Sequence, residues 1–151
     1  MNPTIQKFFE FLRDKEGKGV PMSAEQFKTA ILDPSTDFST LANRGVVGNV
    51  NLANNKEITK LPEGMFFGGN VLLNETSLTE VPKGSKFNKQ LDLNGTKVET
   101  LPPDIYVRGT LFLFRTPLRE NLIARGLKTD SQRIIYLKKQ YPGLQGYLIY
   151  I

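Results

Sequence analysis

One apolar pattern recurs four times at a spacing of 20 residues, and that period constrains the fold more than any other property of the chain. In register, the copies carry the triplets Val50-Asn51-Leu52, Val71-Leu72-Leu73, Leu91-Asp92-Leu93 and Leu111-Phe112-Leu113. An apolar residue follows at Ile58, Leu78, Val98 and Leu118. Leu61-Pro62, Val81-Pro82 and Leu101-Pro102 come next, and Phe67, Phe87 and Val107 close their copies. A fixed period of this length marks stacked units, each touching only its neighbours, rather than a globule of unlike parts. The first copy holds one extra residue between Leu52 and Ile58, which a bulged turn at Asn54-Asn55-Lys56 is expected to absorb.

Within each copy the apolar-x-apolar triplet predicts a short strand whose alternate side chains point to opposite faces. Three residues past its second apolar member stand Asn55, Thr76, Thr96 and Thr116. These side chains bond backbone groups, which is useful where the chain turns and leaves the ladder. The Leu-Pro step predicts an extended return segment, because proline fixes φ and lacks a donor. The expected fold is α+β: a parallel β solenoid of about four coils with helical caps at both ends. It forms a single domain over 1–151, with an N-terminal cap at 1–37, repeats at 38–118 and a C-terminal cap at 119–151.

The caps follow from end signals. Asn2 and Pro3 suit the N-cap and first position of a helix over 2–16, whose apolar stripe is Ile5, Phe8, Phe9 and Leu12, with Gly17 and Gly19 beyond it. A second helix is expected from Ser23, with Gln26 completing a capping box, Met22 and Phe27 placed as a hydrophobic staple, and Asp33-Pro34 as the stop. Phe38, Leu41 and Val47 lie 20 residues before Ile58, Leu61 and Phe67, which predicts a degenerate extra copy. Past Leu118 a short helix is expected around Leu122-Ile123-Ala124, ended by Gly126. A longer one begins near Asp130, with Thr129 and Gln132 as capping box and Ile134, Leu137 and Tyr141 as inner stripe, ending at Pro142-Gly143. Tyr147 to Ile151 suits a strand or packed tail.

The string Leu91-Asp92-Leu93-Asn94-Gly95-Thr96-Lys97-Val98-Glu99-Thr100-Leu101-Pro102 resembles leucine-rich repeats. The 20-residue length and Leu-Pro step are most similar to the short repeats of bacterial effector proteins and of small bacteriophage-encoded proteins. The resemblance covers roughly residues 38–122. Threonine replaces the usual asparagine at three of the four turn positions, and no enzyme domain is attached. The resemblance implies binding rather than catalysis, and its bacteriophage flavour implies an inhibitor of a host defence protein.

The residue inventory narrows chemistry in the same direction. Histidine and cysteine are absent, which removes Ser-His-Asp and Cys-His nucleophile systems, the usual zinc sites and disulfides. Lys15-Glu16-Gly17-Lys18-Gly19 lacks the spacing of a phosphate loop. Acidic residues are scattered beside lysines, Glu57 near Lys56 and Glu99 near Lys97, as surface charges are. No enzyme, cofactor or metal is expected. No apolar run approaches the ~20 residues that span a bilayer, and the first residues carry no signal-sequence pattern. The expectation is a cytoplasmic protein without a membrane partner, in the host cytoplasm if phage-encoded.

Two surfaces are candidates for recognition. The outward members of the strands form parallel columns: Asn51, Leu72, Asp92 and Phe112 in one, Ala53, Asn74, Asn94 and Phe114 beside it, and Asn49, Asn70, Gln90 and Thr110 on the other flank. Phe112 and Phe114 next to Arg115 have the composition of an interface hot spot, unless the C-terminal helix folds over them. A protein partner docking on Asn51, Leu72, Asn74, Asp92, Asn94, Phe112, Phe114 and Arg115 is the first expectation. The alternative starts from the +5 net charge: residues 119–151 hold 6 Lys and Arg against 2 Asp and Glu, whereas 1–47 hold 6 of each. That bias predicts nucleic-acid binding through Arg119, Arg125, Lys128, Arg133, Lys138 and Lys139. A structural role in a larger assembly is the third reading.

Overall fold

A computed structural model describes residues 21–146 and 149–151. The helix expected over 2–16, with Gly17 and Gly19, falls outside them. The described chain is α+β, with two parallel five-stranded sheets and three α-helices, and neither sheet closes into a barrel.

The triplets build the first sheet. Its strands are β3 (Val50–Asn51), β5 (Val71–Leu72), β7 (Leu91–Asp92), β9 (Leu111–Phe112) and β10 (Ile149–Tyr150), neighbours in that order. Val71 pairs with Leu91 and Leu91 with Leu111, a register of one repeat per strand. Inward residues donate to the following repeat: Leu52 N–H to Leu72 O at 2.9 Å, Leu73 to Asp92 at 2.9 Å, Leu93 to Phe112 at 2.9 Å and Leu113 to Tyr150 at 2.7 Å.

The closing residues of each copy build a second sheet: β1 (Met22–Ser23), β2 (Gly45–Val47), β4 (Phe66–Phe67), β6 (Lys86–Phe87) and β8 (Tyr106–Val107). Here the donors face the other way, Gly68 N–H to Val46 O, Asn88 to Phe67 and Arg108 to Phe87, each at 2.9 Å. The two sheets share one core. Phe67 stacks on Phe87 with ring centroids 5.2 Å apart and 9° between planes, and Phe27 meets Phe67 edge-on at 5.3 Å. All three rings are fully buried, each contributing on the order of 1.5–3 kcal/mol through burial. Where the chain turns between the sheets the packing is close: a Cβ on Gly69 would lie 2.3 Å from the Gly48 carbonyl oxygen.

The turn ladder is built as expected. The buried hydroxyls of Thr76, Thr96 and Thr116 each donate to the carbonyl three residues earlier at 2.8 Å, and Asn55 Nδ2 reaches Leu52 O at 2.9 Å. Capping boxes start α1 (Ala24–Leu32) at Ser23 and α3 (Asp130–Gln140) at Thr129. Asp33 caps the end of α1. Of the two readings of the tail, strand or packed segment, Ile149 and Tyr150 form a strand.

Four details differ from the sequence reading. The second strand of each copy is not anticipated by the Leu-Pro step. In the degenerate copy Val46, not Val47, pairs with Phe67, and Val47 is 50% exposed. That copy is one residue shorter after Leu41, since Asn43 and Gly64 occupy the same left-handed turn (φ 61° and 70°), which shifts the inward position by one. The helix expected around Leu122 begins earlier, as α2 (Pro117–Ala124), because Thr116 accepts from Arg119 N–H and Pro117 takes the first turn. Thr116 therefore serves as both repeat residue and N-cap. Lastly, Met22 and Ser23 form a strand on β2, ahead of the helix that Ser23 caps.

Replacing Thr96 by valine keeps shape but removes the 2.8 Å hydroxyl bond to the Leu93 carbonyl, which retains only the backbone N–H of residue 96 at 3.2 Å. A loss of about 1–2 kcal/mol in urea unfolding is expected. Ser85→Ala should cause no such loss, since the buried Ser85 hydroxyl has no hydrogen-bond partner among the described residues.

Candidate functional site

The outer face of the first sheet gathers the residues that the sequence nominates for protein binding. Strand register places Asn51, Leu72, Asp92 and Phe112 in one column and adds Tyr150 after Phe112. Asn51 is exposed and the next three are half-buried. Phe112 and Tyr150 stack at 5.0 Å with 12° between ring planes, and Phe114 approaches Tyr150 at 6.2 Å. Phe114 and Tyr150 are 39% and 40% exposed. A strand, rather than the C-terminal helix, therefore lies beside these phenylalanines, and the rings stay accessible. Tyr150 is missing from the sequence-derived set, yet Ile149-Tyr150-Ile151 carries the apolar-x-apolar signature that would have placed it in the column.

The amides on this face are split between holding the backbone and facing solvent. Asn49 Oδ1 accepts from Asn70 N–H at 2.9 Å, Asn70 Oδ1 from Gln90 N–H at 3.2 Å, and Asn94 Oδ1 from Phe114 N–H at 2.7 Å. Asn51 and Asp92 make the same local turn bond at equivalent positions: Asn51 Oδ1 accepts from Ala53 N–H at 3.1 Å, and Asp92 Oδ1 from Asn94 N–H at 2.9 Å. Asn74 is half-buried on the adjoining column.

One edge of the face is set by a row of left-handed residues, Asn54, Glu75, Gly95 and Arg115, with φ of 67°, 59°, 71° and 55°. Side chains other than glycine and asparagine seldom occupy this region, and strain there is often retained at functional positions. Glu75 spans the row: its carboxylate lies on Gly95, reaches the Arg115 guanidinium at 2.7 Å and the Lys56 amine at 3.5 Å. A Cβ at residue 95 would sit 2.3 Å from Glu75 Oε1, so any other side chain there would displace the carboxylate from this bridge. Arg115, next in the chain to Phe114, is thereby tethered to Glu75.

Of the basic C-terminal set, one guanidinium is withdrawn from the surface and three other cations have partners within the chain. Arg133 is buried, with its guanidinium bonded to the Asp130 carboxylate and to Leu127 O, the latter at 2.9 Å. Arg125 donates to Tyr136 Oη at 2.6 Å, Lys138 to Gly146 O at 2.8 Å, and Arg119 pairs with Glu120 at 3.3 Å. Lys128 and Lys139 are exposed, and their amines have no partner among the described residues. Three of the six cations, Arg125, Arg133 and Lys138, thus link parts of the C-terminal segment to one another. No helix of the described residues is long and apolar enough to cross a membrane.

Comparison with family models, curated proteins and solved structures gave no match to this chain.

Asp92 carries the one raised carboxyl pKa among the described residues. Partial burial is the main cause, opposed by the Asn94 N–H and the Arg115 charge and reinforced by Glu75. A carboxyl whose folded-state pKa is raised contributes stability below its ordinary value, and that contribution is lost as pH rises through the folded-state value. Asp92→Asn keeps the turn acceptor and does not titrate. The variant should match the wild type in Tm at pH 3 and melt higher at pH 7. An equal Tm difference at both pH values would show that the carboxylate's burial has no bearing on stability.

Proposed function

We propose that this chain is a non-catalytic protein-binding module, a short leucine-rich-repeat-like solenoid that docks its partner on the outer face of the first sheet. The parallel register with one repeat per strand supports the solenoid reading. The binding reading is carried by the cluster of Phe112, Phe114 and Tyr150 on one end of that face, with Arg115 tethered at its margin. Aromatic rings and arginine supply most of the energy at protein interfaces, and they do so when grouped rather than scattered. The rings here are in contact with one another, so little side-chain entropy remains to be lost on docking. An inhibitor acting by occlusion fits such a surface, because blocking a partner needs shape and affinity but no chemical turnover.

Affinity purification from the native host with the chain as bait, followed by mass spectrometry, identifies the partner. Against that partner, Phe112→Ala with Phe114→Ala should weaken binding by about 2 kcal/mol or more, with an unchanged circular dichroism spectrum. Undiminished affinity of the folded double variant would remove this face from the interface.

A further inference from the structure

Asp92 sits at the centre of the proposed docking face, between Leu72 and Phe112 on the neighbouring strands. In the first repeat the equivalent residue is Asn51, which makes the same turn bond without a charge. The turn therefore does not require a carboxylate, and a half-buried one is held there against its own desolvation. Its Oδ1 is occupied by Asn94 N–H, while Oδ2 has no hydrogen bond or ion pair among the described residues. Arg115 acts on Asp92 only through its field, since its guanidinium is bonded to Glu75, and the Lys56 amine is also on Glu75. The result is a carboxylate with no directly paired cation among the described residues, flanked along its column by an aliphatic side chain and an aromatic ring.

We infer that the partner inserts an arginine side chain here, its guanidinium on Asp92 and its stem between Leu72 and Phe112. Arginine fits better than lysine, because a planar guanidinium both forks onto a carboxylate and lies against a ring. Neighbouring apolar residues of the partner then cover Phe114 and Tyr150. This inference rests on the protein-binding reading and names the chemistry of its partner.

Selection from a random displayed-peptide library against the intact chain tests it. Sequences with an arginine among apolar residues are expected. Their binding should fall about tenfold with Asp92→Asn, the loss of one charge-assisted bond, and similarly when the peptide's arginine is replaced by citrulline. Asp92→Asn folds by the precedent of Asn51, which circular dichroism checks. Peptides that lose binding with Phe112→Ala and Phe114→Ala, yet lack arginine or bind Asp92→Asn equally, would overturn the arginine assignment and leave the docking face standing. No selected peptide, or none sensitive to the double alanine variant, would overturn the face and the assignment together.

Discussion

Register between repeats is the constraint on which everything else depends. Each inward residue of the first sheet gives its amide to the following repeat, and the closing strands of the second sheet give theirs to the preceding one. A slip of a single residue would turn every buried leucine outward, so the hydrophobic columns and the two opposed ladders enforce one alignment. The consequence reaches the surface. Because Leu91 and Leu93 must point in, Asp92 and Asn94 must point out. The face is as well defined as the core behind it.

The turns show how that alignment is held where ladders end. Three buried threonine hydroxyls and one asparagine amide close the same carbonyl in successive copies. One residue before each of them the backbone is left-handed, and two of those positions, Glu75 and Arg115, carry long charged side chains. An exposed ion pair of this kind contributes little to stability, on the order of 0–1 kcal/mol. Its significance is geometric: Glu75, crossing above Gly95, restricts where the Arg115 guanidinium sits relative to the aromatic rings.

Much of this was legible in the residues. Period, inward leucines, both capping boxes and the turn threonines follow from apolar spacing and short-range hydrogen bonding, which are local in sequence. The second sheet is harder to read, because its strands are only two or three residues long and their alternation is broken in one copy by Ser85, where Met65 and Ile105 stand in the others. Thr116-Pro117 went unread as a helix start, since the repeat pattern already explained Thr116. The burial of Arg133 against Asp130 and Leu127 is a tertiary outcome that composition cannot reveal. On the candidate face the nominated residues do share one surface, and the missing member, Tyr150, lies far along the chain from the repeat it joins.

Segments that borrow the ladder without the full repeat flank the array, Met22–Ser23 on the second sheet before it and two more after it. Ile149–Tyr150 continues the first sheet past β9, and Gly143 and Gln145 exchange backbone bonds with Val107 in the second. Such terminators are indifferent to how many units lie between them. A genetic duplication or deletion of 20 residues in the interior would meet matching hydrogen bonds on either side. Over evolutionary time the outer face of the first sheet can thus lengthen or shorten in steps of ~4.8 Å, with neither flanking segment redesigned.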